Sequence, residues 1–404
     1  MQTNPRHRRR HAAALAVVAV VAIGVGSGVG ATTVPPTSEP PTAESSDGGG
    51  DTGITTVAVE MTADGCPAPE GPYDSGPFTF EVENVSAAGV TEFEVLAGDR
   101  ILAEKENLPP GFGGSFSIEL GPGTYTLYCP GASTERTDLV VTGEELEAAP
   151  TDTGEMLQQG ADDYLGYVRT QVVELADAVV VLDDAIQSGD VEASQLAYIQ
   201  ARPFYERIEP VAESFVLDGR NLDAAIDLRA DDVEPTELEG FHRIEYGLWV
   251  DGSTDGLGEV STQLVADVGQ LGGLVDGLDS LQAYDLANGA VGLLDEAAGG
   301  KITGEEERYS RIDVLDMAAN VEGSQQAFAY LETGLTEIDP DLVATIKERF
   351  TALQDEVDTL VDPDQPSGYV LYEDLTDEQI TGLSDALQAV AEPLSQVAEK
   401  VVNA

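Results

Sequence analysis

Residues 156–186 read MLQQGADDYLGYVRTQVVELADAVVVLDDAI, with apolar side chains returning at helical spacing over a stretch far too long for a strand. The same period comes back over residues 191–215, 239–250, 258–281, 302–331, 342–360 and 377–402, which predicts an all-helical bundle over 154–404. Pro203 and Pro210 fall inside the second of these segments and should kink or split it. No short-period repeat is visible, so a solenoid is excluded.

Upstream of residue 144 the pattern is different. Short alternating segments at 54–61, 77–83, 92–96, 100–104, 115–120, 124–129 and 138–141 are divided by Gly, Pro and Asn. This spacing predicts a β-sandwich over 54–142, joined to the bundle by a linker at 143–153. The chain is therefore expected to be multidomain, a β-sandwich followed by an all-α domain. Residues 32–53, TTVPPTSEPPTAESSDGGGDTG, have no aliphatic run and read as a disordered spacer.

Residues 1–31 read as a signal peptide. Arg6, His7, Arg8, Arg9, Arg10 and His11 form a basic start, an apolar run covers 12–23, and small residues end at Ala31, the expected cleavage point. The alternative, a retained membrane span, is weakened by the glycines and serine after Ile23. The first cysteine is Cys66, so no lipid anchor at the cleavage point is available and the product is not a lipoprotein. The arginine cluster is too loose a match to assign a twin-arginine route.

The chain has 404 residues, with 75 Asp plus Glu against 19 Lys plus Arg and a formal net charge of −56. Nucleic acid and anionic lipid are excluded as partners on electrostatic grounds, and cations are favoured. Lysine occurs only at Lys105, Lys301, Lys347 and Lys400, a pattern that also suits simple solvation of an exported surface.

His242 is the only histidine beyond residue 11, and Glu245 follows three positions later. On a helix the two share a face, which fits either a hydrogen-bonded pair or two ligands to one cation. Arg202, Glu206, Glu209 and Glu213 also fall on one narrow helical face. Carboxylates so placed need a positive partner, either Arg202 or a metal brought in where this face meets His242 and Glu245. Asp313 and Asp316 repeat the i,i+3 spacing and are candidates to support the site. Glu305, Glu306 and Glu307 are expected to decorate the first turn of a helix.

Cys66 and Cys129 both lie in the β-region, where a disulfide is the default for an exported chain; a thiolate metal site with Glu92, Glu94, Glu104 or Glu106 competes with it. A blue-copper site is excluded, since it needs two histidines and this region has none. Neither HExxH nor HxxEH is present, no Gly-x-Ser-x-Gly elbow occurs, and no G-x-x-x-x-G-K loop appears.

Three runs, ARPFYERIEPVAESF at 201–215, GFHRIEYGLW at 240–249 and GEEERYSRIDVLDMAANVEG at 304–323, together resemble the imelysin family, also called the M75 or HxxE family. TEFEVLAGDRILAEKENLPPGF at 91–112 and GTYTLYC at 123–129 resemble the cupredoxin-like domain that precedes the helical domain in iron-uptake members. The resemblance runs from residue 54 to the C-terminus. It implies a cupredoxin-like β-sandwich followed by an imelysin-like bundle, in a periplasmic or extracytoplasmic protein of an Efe-type iron uptake system. Its implied partners are a membrane iron permease and an Efe-type peroxidase. It further implies metal ligands at His242, Glu245, Glu206 and Glu209, while Glu213, Asp313 and Asp316 stay candidates on their spacing alone. A second metal at Cys66, Cys129, Glu104 and Glu106 is implied in the β-domain.

A set of carboxylates and one imidazole suits Fe2+ or Fe3+, and also manganese or zinc; Cu(II) competes on raw affinity. The alternatives to iron transport are a metal-dependent peptidase, which the residues do not support, and an acidic polysaccharide-binding module. The latter would lack an aromatic platform, Trp249 being the only tryptophan.

Overall fold

The computed structural model describes residues 53–404, apart from 68–70, 99, 145–150, 218–219, 229–234 and 236. The expected signal peptide, all of the expected spacer but Gly53, and most of the expected 143–153 linker lie outside the described residues.

Eight strands come first: β1 (Thr55–Met61), β2 (Tyr73–Asp74), β3 (Gly76–Asn84), β4 (Phe93–Ala97), β5 (Arg100–Lys105), β6 (Gly113–Leu120), β7 (Gly123–Tyr128) and β8 (Arg136–Thr142). They form two sheets, β1-β3-β6 and β2-β8-β7-β4-β5. The β1–β3 and β2–β8 pairs are parallel, and the others are antiparallel. Alternation along β1 and β3 sends Val57, Val59, Met61, Phe78, Phe80 and Val82 inward. Phe80 stacks on Phe116 at 5.2 Å between ring centroids, and Phe93 closes the aromatic cluster.

Cys66 and Cys129 are joined by a disulfide buried in this core. The thiolate reading of these two residues is corrected on that ground, because a sulfur bonded to sulfur offers no thiolate to a metal. Replacing both by alanine is expected to cost the β-region about 2–5 kcal/mol. A thermal melt of the double variant checks this, and an unchanged melt would contradict it.

The helices follow. They are α1 (Asp152–Ser188), α2 (Val191–Glu206), α3 (Glu209–Glu213), α4 (Asp223–Ile226), α5 (Gly240–Glu245), α6 (Gly258–Asp276), α7 (Ala283–Gly299), α8 (Asp313–Ile338), α9 (Pro340–Asp358), α10 (Asp377–Leu394) and α11 (Val397–Val402). A two-stranded ribbon, β9 (Val216–Leu217) with β10 (Arg220–Asn221), sits between α3 and α4. Thr151 caps the start of α1 by accepting from the Gly154 N–H, and Gly189 ends it in the left-handed conformation. Helix α1 packs on α2, α6 and α8, while α7 packs on α8. No helix among the described residues is long and apolar enough to cross a membrane.

The expected helix over 191–215 is split. Helix α2 runs through Pro203 and stops at Glu206, and Pro210 occupies the first turn of α3, where its missing N–H costs nothing. The helix expected over 302–331 starts at Asp313 instead, because residues 304–312 form an irregular loop with Arg311 at a φ of 64°. Segment 239–250 is helical, but it passes from α5 into a π-helical turn at Tyr246–Asp251. Helix α7 was absent from the sequence reading. It carries Asp285, Asn288 and Asp295, which meet Arg100, the Ser117 carbonyl and Lys105 of the β-region. These contacts hold the sheets against the bundle.

Candidate metal centre

Gly240 opens α5 with a φ of 52°, and a Cβ there would lie 1.8 Å from the Ile226 carbonyl oxygen. Only glycine permits this approach. It brings the end of α4 against the start of α5 and so sets Asp227 beside His242. Gly240→Ala is expected to lower stability by about 1–3 kcal/mol, through strain at the left-handed position. It should also weaken metal binding. Denaturant unfolding and a titration check both; a variant matching the parent would contradict this account of the close approach.

His242 is fully buried, and its two ring nitrogens have different surroundings. Nδ1 lies 3.1 Å from Glu245 Oε2. The other oxygen of Glu245 accepts the backbone N–H groups of Tyr309 and Ser310, each at 2.7 Å. Glu245 and His242 thus bond to each other, and the loop after the Lys301–Thr303 turn fixes the pair. Nε2 faces the opposite way, 3.4 Å from Asp227 Oδ1 and 3.7 Å from Glu306 Oε1. Neither His242 Nε2 nor Asp227 Oδ2 has a hydrogen-bond partner among the described residues, although both are buried. Asp227, His242 and Glu306 offer ligand atoms that all lie within 4.8 Å of one another.

Two fully buried cations flank this trio. Arg202 pairs with Asp227 and Glu206, reaches Asp316 Oδ2 at 2.8 Å and Glu307 Oε1 at 3.0 Å, and lies 3.6 Å from Glu306. Lys301 Nζ lies 3.2 Å from Glu206, 3.5 Å from Glu209, 3.7 Å from Glu306 and 3.9 Å from Glu296. Asn320 donates to Glu206 Oε2 at 3.0 Å, and the Tyr198 hydroxyl donates to Glu307 at 2.7 Å.

Glu206, Glu209, Asp227, Glu245, Glu306, Glu307 and Asp316 are all buried, against the two fixed charges of Arg202 and Lys301. Burial penalises each unpaired charge by several kcal/mol, so an excess of carboxylates must share protons or a further cation. Burial pushes Glu206 up to about 7 despite Lys301 and Arg202. Burial and the Glu245 charge push Glu307 to about 8. Burial carries Asp316 well above the carboxylate range against the pull of Arg202. For His242 burial acts downward, but the Asp227 charge, the hydrogen bond with Glu245 and the nearby Glu306 carboxylate raise it well above the ordinary imidazole value.

The expected site residues divide among several places. His242, Glu245, Glu206 and Glu209 belong to this buried network. Glu213 leaves it: its carboxylate groups with Glu106, just after β5, and Glu296 of α7, because the break after Glu206 turns α3 away from the face of α2. Asp316 sits on Arg202. Asp313 accepts the Glu307 N–H at 3.1 Å and so holds the loop. Glu104 groups with Glu92 and Glu94, and lies opposite Glu94 in the β4–β5 register.

The first-turn reading of Glu306 and Glu307 is corrected. Both are buried in the loop before α8 and face Arg202, and only Glu305 is exposed. Asp227 and Lys301 were not singled out either. A signal for Lys301 was present, since a rare lysine in so acidic a chain stands four residues before three glutamates. Asp227 has no such signal, because it follows a four-residue helix with no periodic pattern.

The imelysin model, peptidase family M75, matches residues 160–397. The iron uptake system component EfeO of Escherichia coli strain K12 is 34% identical over 350 residues, which covers 85% of this chain and 91% of that protein. EfeO of Shigella flexneri matches with the same identity and coverage. With the model spanning more than half the chain and these relatives aligned along both the strands and the helices, the chain belongs to the imelysin family.

Proposed function

We propose that this protein is an exported iron-binding component of an uptake system, taking iron at the His242 centre and passing it to a membrane permease. The observation that carries the reading is a buried imidazole whose Nε2 lacks a hydrogen bond among the described residues and faces two carboxylates, within a network holding more acids than bases. In this reading His242 Nε2, Asp227 and Glu306 are the first ligands. Glu206 and Glu209 join them when the incoming cation takes the place of the Lys301 ammonium. Glu245 holds the imidazole through Nδ1, as partners of metal-bound histidines commonly do. The printed names of the relatives as iron uptake components support iron as the cargo.

The same proposal covers the finer points of organisation. It takes residues 1–31 as a cleaved signal, the strands of 54–142 as a cupredoxin-like domain and 154–404 as the imelysin-like domain. It places the mature protein in the periplasm or its extracytoplasmic equivalent, beside a permease and an Efe-type peroxidase. Titrating tag-free protein with iron, then competing with zinc, manganese and copper, tests the cargo. One tightly held equivalent of iron is expected, and a parent protein that ignores iron would overturn the reading.

A peptidase would need an open coordination position with an activated water and a carboxylate to take its proton. Both oxygens of Glu245 are already engaged, one by two backbone N–H groups and one by His242 Nδ1. The protein is therefore proposed to be no enzyme. Incubating the metal-loaded protein with denatured casein is expected to give no cleavage; cleavage that disappears in Glu245→Gln would contradict this.

A further inference from the structure

We infer that the cation reaches and leaves the His242 centre through an acidic cleft between the β-region and the bundle, with Glu92 and Glu106 as its first ligands on the way; this rests on the proposed reading of the centre. Two cavities carry the inference. One, of about 600 Å³, is lined by Glu92, Glu106, Glu305 and Glu306, together with glycine, threonine, asparagine and proline, and among the described residues by no lysine or arginine. The other, of about 270 Å³, is lined by Glu92, Glu94, Glu106, Asp223 and Asp227, with Arg136 as its only base among the described residues.

The cavities share Glu92, Glu106 and Pro130, all from the β-region. Each also reaches one of the two carboxylates that face His242 Nε2: Glu306 lines the first and Asp227 the second. Burial deepens in the same direction, from exposed Glu305 through half-buried Glu92 and Glu106 to Glu306 and Asp227, each 1% exposed. Asp227 Oδ2, buried and without a hydrogen bond among the described residues, lies in a residue on the wall of this space. A multivalent cation shedding water needs oxygen ligands at each stage, and carboxylates at graded depth supply them. Walls dominated by one sign also raise the local cation concentration. The β-region, whose cysteines are locked in a disulfide, thereby gains a role in loading that needs no sulfur ligand.

The test is rapid mixing of the full chain with Fe(II) without oxygen, following the lone tryptophan. Trp249 lies 5.3 Å from Tyr198, which bonds Glu307 of the centre. Release is read by adding a ferrous chelator. Glu92→Gln with Glu106→Gln removes two cleft charges, and Asp162→Asn with Asp163→Asn removes two exposed charges from α1 as the control. The cleft variant is expected to slow both association and release about tenfold at low salt, leaving affinity within about threefold, while the control stays near the parent. Glu305→Gln alone should slow association in the same direction, which keeps the test decisive if the double variant folds poorly. Equal rates in cleft variants and control would overturn the path and leave the centre standing. A parent that binds no Fe(II) would remove the centre itself, and the path with it.

Discussion

Replacing His242 by alanine is expected to weaken iron binding by about 100-fold or more while the helical signal of the protein is retained. Loss of an orienting partner alone typically costs a metal site about 10–100-fold, and removal of the ligand itself should cost at least the upper end. No other imidazole can substitute, because the remaining histidines are His7 and His11, in the expected leader. Calorimetric titration of variant and parent, with circular dichroism as the control for folding, measures the effect. Equal affinities would remove His242 from the centre. Glu245→Gln should fall between the two, since an amide can still meet Nδ1 but stabilises the bound imidazole less.

Arg202→Leu is expected to give the largest loss of stability of any single change in the bundle, about 3–5 kcal/mol. Its guanidinium is fully buried and pairs with Glu206, Asp227, Glu307 and Asp316, none of which has water to turn to when the charge is removed. Thermal unfolding without metal reads this as a marked fall in the midpoint. Added iron should recover part of the loss, because a ligand that binds only the folded state stabilises it by mass action. A variant as stable as the parent would mean that the acids are held neutral and that the network does not depend on Arg202.

The sequence exposed the parts of this design that obey local periods. The strands of the two sheets other than β2 came from alternation and turn residues, and the long helices α1, α8 and α9 from apolar spacing, each within a few residues except at the two ends of α8. Helix α7 stayed hidden because Gly289 and Gly292 dilute its apolar pattern. His242 and Glu245 were legible because i,i+3 placement on a helix is a local fact. Their relation was not: whether two such side chains face one cation or bond each other depends on the Tyr309 and Ser310 N–H groups, 64 and 65 residues away. Asp227, Lys301 and Glu306 escaped for the same reason. They stand on loops or short turns, and their meeting at His242 is set by tertiary packing, including the close approach at Gly240.

The most direct measurement is the position of iron in crystals of the loaded protein, read from anomalous diffraction at the iron absorption edge. The account predicts a strong peak within bonding distance of His242 Nε2 and of carboxylate oxygens from Asp227 and Glu306, with Lys301 displaced from Glu206 and Glu209. A loaded crystal whose strongest iron peak lies away from His242, with the imidazole still facing Asp227 and no metal, would contradict it.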